Sequence, residues 1–247
     1  MLASMTPGFL LIDKPAGPTS HDVVSRVRRV TGEKRVGHAG TLDPFASGLL
    51  LVGVGREATR ELGRFVGLDK WYDATFVIGA GSDTDDITGH IEPDNTFVAP
   101  PEDAIRNAME TLTGHLNQIP PSYAAIKIGG KKMYELAREG KTFDKPPRPV
   151  TIFSFELLTS LTTYKLPATT SFLVRIHCSS GTYIRSLARD LGKALGTRGL
   201  VAELRRTSIG PFTISEATPL ADLANPVTVA DIPFTLSRLP PSATIDA

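Results

Sequence analysis

The sequence predicts a mixed α/β protein of the α+β kind, with helices packed against a sheet. Three observations carry that expectation. From Trp71 to Ile78 apolar and polar residues alternate, the period of a half-buried strand. Val23, Val24, Val27 and Val30 recur at helical spacing and form one apolar stripe. Hydrophobic residues make up 41% of the 247 positions and charged residues 21%, a balance that excludes disordered and fibrous classes. A chain of this length buries a substantial core, as one large domain with or without a small appendage.

Taken in order, Phe9 to Asp13 reads as a strand stopped by Lys14-Pro15, because proline lacks the amide that a ladder uses. Thr19 or Ser20 then caps a helix that carries the valine stripe and stops near Gly32. Gly37 to Pro44 reads as a loop, since two glycines and a proline punctuate it. Gly48 to Val54 is a short apolar strand or buried segment, Ala58 to Phe65 a helix and Trp71 to Ile78 a strand. Asp83 to Pro101 is turn-rich and leads into a helix with Ala104, Ile105, Ala108, Met109 and Leu112 on one face. Pro120 to Pro149 is bounded by proline pairs and reads as a projecting excursion. Val150 to Leu158 and Ser171 to Ser179 are strands, Thr182 to Leu195 a helix, and Leu200 to Arg206 a further strand. The last thirty or so residues suggest only a short helix or strand.

The formal net charge of +1 conceals segregation. Arg26, Arg28, Arg29, Lys34 and Arg35 crowd one region, and Lys127, Lys131, Lys132, Arg138, Lys141, Lys145 and Arg148 another. Asp83 to Asp103 holds seven carboxylates and no Lys or Arg. Segregated positive charge fits a polyanionic partner. Apolar runs stop far short of the roughly 20 residues of a spanning helix, so no membrane role is expected. The N-terminus lacks the pattern of a secretion signal, which suggests a cytoplasmic protein. Cys178 is the only cysteine, which excludes a disulfide framework or a multi-cysteine zinc site. Asp83, Asp85 and Asp86 offer alternate oxygen ligands, but no glycine and terminal glutamate complete a calcium loop, and no metal is expected.

The richest constellation is Arg35-Val-Gly-His-Ala-Gly-Thr-Leu-Asp-Pro-Phe-Ala-Ser-Gly48. Glycines permit unusual backbone angles there, and Pro44 disfavours helix at Asp43, so a carboxylate can project from a fixed loop. Gly37 to Leu50 resembles the signature of the bacterial tRNA pseudouridine synthase B family, which modifies uridine 55 of the TΨC loop. Five other blocks resemble family motifs in family order. They are Lys14-Pro-Ala-Gly-Pro-Thr-Ser20, Lys70-Trp-Tyr-Asp-Ala-Thr-Phe76, Ser82-Asp-Thr-Asp-Asp-Ile-Thr-Gly89, Pro120-Pro-Ser-Tyr-Ala-Ala-Ile-Lys127 and Cys178-Ser-Ser-Gly-Thr-Tyr-Ile-Arg-Ser-Leu-Ala188. The resemblance spans residues 8 to 212.

The resemblance implies a pseudouridine synthase fold with a largely antiparallel mixed sheet, a catalytic domain over residues 1–212 and an RNA-gripping insertion at about 120–149. It assigns Asp43 as the catalytic carboxylate, Tyr72 as the ring that stacks on a flipped uracil, and Arg185 as the partner that keeps the aspartate ionised and aimed. His38, Gly40, Thr41, Leu42, Lys14 and Tyr183 are expected around the extruded nucleotide. Lys127, Lys131, Lys132 and Arg148 are expected on the RNA backbone. The implied partner is the T-arm of tRNA, bound by a monomer without cofactor. Two departures stand out. Arg56 adds one residue to the usual Gly-Glu-Ala-Thr spacing, and residues 213–247 look too few for the RNA-binding domain of the PUA type that many members append. Rival readings are a glycosidase built on Asp43 and Asp85, a synthase acting on another RNA, and a non-catalytic RNA-binding or RNA-folding protein.

Overall fold

The structure, a computed structural model, describes residues 7–123, 127–128, 131–132, 146–159, 166, 168–223 and 229–240. Along the chain run β1 (Gly8–Lys14), α1 (Ser20–Thr31), β2 (Val36–Ala39), β3 (Ser47–Val54), α2 (Gly55–Val66), β4 (Lys70–Ile78), β5 (Ala80–Ser82) and β6 (Ile91–Pro93). There follow α3 (Glu102–Thr111), β7 (Gly114–Gln118), β8 (Lys127–Ile128), β9 (Lys131–Lys132), β10 (Arg148–Leu157), β11 (Thr170–Cys178), α4 (Ile184–Ala194) and β12 (Gly199–Ile209). The chain ends with β13 (Phe212–Thr213), β14 (Thr218–Pro219), β15 (Ala230–Asp231) and the short α5 (Ile232–Ser237). Two compact units result: Met1–Tyr72 with Arg205–Ala247, and Asp73–Leu204. The division falls inside β4 and inside β12.

In the first unit β3 is the middle strand. Its run Gly-Leu-Leu-Leu-Val-Gly-Val is apolar throughout because both of its faces are covered. Leu50, Val52 and Val54 join Leu10, Ile12 and the Val23, Val24 and Val27 stripe of α1. Leu49 and Leu51 join Phe9, Ala39, Ala58 of α2, Phe65, Ile209 and Phe212. Helix α1 starts where Thr19 and Asp22 form a reciprocal capping box, and it ends at Gly32 with a left-handed φ of 72°. One edge of β3 pairs antiparallel with β1 from Gly48 to Val54. The other edge is divided. Residues Leu51 to Val54 pair antiparallel with β2, whereas Ser47 and Gly48 pair parallel with Arg205 and Arg206 of β12.

The second unit orders its strands β4, β11, β10, β7, with antiparallel pairing of β10 to both β11 and β7. Phe76 packs its ring 5.8 Å from Phe155 and 6.4 Å from Phe172. Helix α3 buries Ile105, Ala108 and Met109 and packs on β10 and α4. No helix among the described residues is long and apolar enough to cross a membrane.

Two local expectations are corrected, and one strand was not foreseen. Val36–Ala39 is a strand, because pairing with β3 overrides the glycine signal and Gly37 packs under the Leu62 side chain. The loop therefore begins only at Gly40. Helix α4 starts at Ile184 rather than Thr182, since the corner at Gly181 holds a φ of 84°. Gly114–Gln118 is a strand that its polar residues concealed. Arg56 takes an exposed place in the first turn of α2.

The Phe65 ring is fully buried, 4.8 Å from Phe9 and 5.8 Å from Phe212. Phe65→Ala is expected to lower stability by about 3–5 kcal/mol, the usual range for truncating a buried phenylalanine. Equilibrium urea unfolding monitored by circular dichroism measures it, and a loss under about 1 kcal/mol would contradict this packing.

Candidate active site

Asp43 lies on the seven-residue loop between β2 and β3, where the divided edge of β3 opens. The backbone around it is held from three directions. From β12, the Arg206 guanidinium donates through Nε to the Leu49 carbonyl at 2.7 Å and through an Nη to the Gly40 carbonyl at 3.0 Å. From the first turn of α1, the Ser20 hydroxyl donates to the Leu42 carbonyl at 3.0 Å and accepts the Leu42 N–H at 2.9 Å. From the end of β1, the Lys14 ammonium donates to the carbonyls of Pro15 at 2.9 Å, Pro18 at 2.8 Å and, at 3.4 Å, Pro44. The Gly17 N–H also reaches the Pro44 carbonyl at 2.8 Å. The residues on either side of Asp43 are thus fixed through their main chains, while Asp43 itself stays half-exposed.

Glycine is required at two points, one at the start of this loop and one just past its end. Gly40 has a φ of 82°, which turns the chain out of β2. Gly48 has a φ of 104°, and a Cβ there would come within 2.3 Å of the Arg206 carbonyl oxygen. The parallel pairing of β3 with β12 depends on that missing side chain.

The surroundings of Asp43 are cationic. Lys14 is fully buried, and burial pulls its ammonium down from 10.5 to about 8; the Asp43 carboxylate opposes that shift and the Arg206 charge adds to it. At neutral pH Lys14 still carries its proton. His38, on β2, is lowered by burial first and then by Arg206 and His21, so its ring is neutral at pH 7. Its Nδ1 is buried without a hydrogen-bond partner among the described residues.

Tyr72 is buried on β4 at the edge of the first unit. Arg185 belongs to the second unit and is only 4% exposed. It is the second residue of α4, and its guanidinium donates to the Thr84 carbonyl at 2.9 Å and the Tyr123 carbonyl at 3.1 Å, with Asp86 at 3.5 Å. Asp86 also accepts from the Thr84 and Thr88 hydroxyls and the Thr88 N–H. Asp83 accepts the His90 N–H and Asp85 pairs with Arg189 at 3.0 Å. These three carboxylates are therefore occupied in building the turn that holds Arg185.

Tyr183 caps α4 and exchanges two hydrogen bonds with the Gln118 amide through its own main chain. Thr41 is exposed and Leu42 buried. Arg148 is exposed at the start of β10. Lys127, Lys131 and Lys132 sit on the β8–β9 ribbon, and their side chains lie outside the described residues, as does Tyr134. Sequence reasoning missed Ser20 and Arg206. Arg205-Arg206 in a strand was the available signal, because neighbouring strand residues point to opposite faces and one arginine must turn inward. Arg205 is the outward one, in a two-pronged pair with Asp13. Also missed was the exposed stripe Arg56, Arg60 and Arg64, legible from its four-residue spacing on α2.

Comparisons with known proteins place the chain in a family. A model described as TruB family pseudouridylate synthase (N terminal domain) matches residues 28–184, and one described as tRNA pseudouridylate synthase B C-terminal domain matches residues 185–232. The chain is 49% identical over 216 residues to tRNA pseudouridine synthase B of Corynebacterium efficiens, which covers 87% of this chain and 71% of that protein. It is 47% identical over 223 residues to tRNA pseudouridine synthase B of Mycobacterium bovis, covering 90% and 74%. Among solved structures, it is similar to a chain of a Cbf5-Nop10-Gar1 complex, with a TM-score of 0.66 and 30% identity, over 87% of this chain and 53% of that one. An archaeal box H/ACA sRNP Nop10-Cbf5 complex gives a TM-score of 0.62 at 30% identity, over 88% and 53%. The chain spans about half the length of those two.

Because Lys14 holds a lowered value in the folded state, the unfolded chain binds the extra proton between about pH 8 and its ordinary 10.5. Folding stability therefore rises with pH across that window and is insensitive to this group below it. Lys14→Met removes the titration. The melting temperature of the wild type relative to Lys14→Met is expected to climb between about pH 8 and pH 10. A difference that stays level in calorimetry over that range would refute the burial of a titrating ammonium.

Proposed function

The chain belongs to the TruB pseudouridylate synthase family, and from that premise we propose that it isomerises uridine to pseudouridine at position 55, in the TΨC loop of transfer RNA. The observation that carries the reading is the Gly37 to Leu50 motif folded as a three-way tethered loop, with Asp43 presented beside the buried Lys14 charge. The relatives named above are tRNA pseudouridine synthases, and Asp43 stands in the motif that resembles theirs.

In this reading the target uridine is flipped out of the loop at a cost of a few kcal/mol, offset by stacking on Tyr72 and by contacts to the loop around His38 and Thr41. The N1–C1′ bond breaks, the uracil turns within the pocket, and C5 bonds to C1′. The C5 proton leaves to solvent and N1 gains one, so the reaction balances as an isomerisation. A carboxylate serves the cleavage as nucleophile or as the charge that stabilises a cationic sugar. Arg185 keeps that carboxylate ionised and aimed. Burial and the Arg206 charge disfavour a proton on His38, which suits contact with a nucleotide better than proton abstraction. The protein acts as a cytoplasmic monomer that needs no cofactor.

RNA phosphates are held by the basic excursion and by α2. Arg56, Arg60 and Arg64 stand exposed on one face of that helix, and among the described residues only Arg64 of the three is in an ion pair, a weak one 3.4 Å from Glu61. Lys34 and Arg35 are exposed just before β2, and the Arg35 carbonyl accepts the Gly55 N–H at the start of the helix. Together they form a positive surface on the element that flanks β2 and β3.

Tritium release from 5-tritiated uridine in a T-arm transcript tests the chemistry. Asp43→Asn is expected to cut the single-turnover rate by more than about a hundred-fold while leaving transcript binding in place. Near wild-type release by that variant would defeat the mechanism, and mapping pseudouridines in treated tRNA checks the position. For the binding surface, the Arg56→Ala/Arg60→Ala variant is expected to shallow the salt dependence of tRNA affinity by about 0.7–0.9 in logarithmic slope for each phosphate no longer neutralised. An unchanged slope would remove α2 from the interface.

A further inference from the structure

We propose that Arg206 and Ser20 are positioning residues for the reaction, holding the main chain of the Asp43 loop in its working geometry without touching substrate. The proposal rests on the reading of Asp43 as the reacting carboxylate and goes beyond it. Each tether takes a different peptide. Arg206 bridges Gly40 at the loop entrance to Leu49 beyond its exit, so one guanidinium spans the mouth of the loop. Ser20 both donates to and accepts from Leu42, the residue before Asp43, which fixes the orientation of that peptide and not merely its distance. Both side chains are buried, at 1% and 2% exposure, so they cannot serve as contacts to RNA in this fold.

Arg206 is a costly choice if packing were its only purpose. Burying a guanidinium carries a desolvation cost that a leucine or methionine of similar volume would not. Its hydrogen bonds end on two main-chain carbonyls. Arg205 beside it instead closes an ion pair with Asp13, as an ordinary partly exposed arginine does. A planar fork can hold two carbonyls at a set separation, whereas an ammonium would hold one position loosely. What the cost secures is the shape of the loop mouth.

Three variants test the idea: Arg206→Lys, Arg206→Met and Ser20→Ala. Each is measured by single-turnover tritium release, by equilibrium binding of the T-arm transcript, and by hydrogen exchange of the RNA-free protein over residues 40–48. The expected result is a rate at least about ten-fold down, in line with the cost of displacing a reacting group by a fraction of an ångström, with affinity changed less than about two-fold. Exchange should quicken in the 40–48 peptides of all three variants and stay slow in β1. Arg206→Lys should recover less than half of the protection that Arg206→Met removes. A wild-type rate in Ser20→Ala and Arg206→Lys, or affinity falling in step with rate, would overturn the proposal. So would loss of protection throughout the first unit in Arg206→Lys, since Arg206 would then be serving the core. A wild-type protein inactive on the transcript would sink the functional reading alone, because the exchange measurements still decide whether these side chains hold the loop.

Discussion

The divided edge of β3 is the constraint on which the rest of the first unit depends. One strand edge cannot hold two neighbours at the same residues, so β2 takes Leu51 to Val54 and β12 takes Ser47 and Gly48. Where the two neighbours part, the chain between β2 and β3 must bulge away from the sheet, and the bulge is the loop that carries Asp43. The same parting brings Arg206 under Gly40, because the β12 residue opposite Gly48 is Arg206 itself. Gly48 makes the approach possible by having no side chain to strike the Arg206 backbone. Strand pairing, glycine placement and loop tether are therefore one arrangement.

Electrostatics around the loop follow from the same burial. Lys14 loses hydration on entering the fold, and the opposing attraction of Asp43 recovers only part of that loss, so burial wins and the value falls to about 8. A group at about 8 is still roughly ten parts protonated to one at pH 7. The balance matters because the ammonium supplies three carbonyl contacts as well as a charge. The Arg206 charge is felt by its neighbours: it pushes His38 further down and adds to the fall of Lys14. The result is a carboxylate in the field of a buried ammonium, and an imidazole on β2 held below its ordinary value.

Much of this was legible in the sequence, and for physical reasons. The valine stripe of α1 and the Thr19 and Gly32 caps are local signals, and the structure places that helix at Ser20–Thr31. The continuous apolar run Gly48 to Val54 marked a strand or buried segment, and the structure makes it β3. Asp43 stood out because its Gly-His-Ala-Gly-Thr-Leu-Asp-Pro context resembles a family motif, since glycines and Asp-Pro alone mark only a loop. What stayed hidden depended on pairing between distant segments. Val36–Ala39 carries a glycine and a histidine in four residues, and only the partner Leu51 to Val54 makes it a strand. Gly114–Gln118 is similarly polar and becomes a strand through β10. Ser20 looked like a cap, and its bond to Leu42 is a contact over 22 positions. Arg206 lies 166 positions from Gly40, a separation no local pattern encodes.

That long reach has a mechanical logic. A loop with glycines at both ends is permitted many conformations, and fixing a single residue's backbone costs on the order of 1–2 kcal/mol of entropy. Local turn bonds such as Ala46 N–H to the Asp43 carbonyl fix curvature but leave the loop free to swing as a body about Gly40 and Gly48. Stopping that swing requires anchors on elements that do not move with the loop. Lys14 sits at the end of β1, Ser20 on the first turn of α1 and Arg206 on β12, three elements that meet the loop from different sides. Arg206 falls in the stretch matched by the C-terminal family model, while Gly40 falls in the N-terminal one. The chain returns from its second unit to complete the support of a loop built in the first. A rigid Asp43 therefore requires the closed path of the whole polypeptide and cannot be a property of its motif alone.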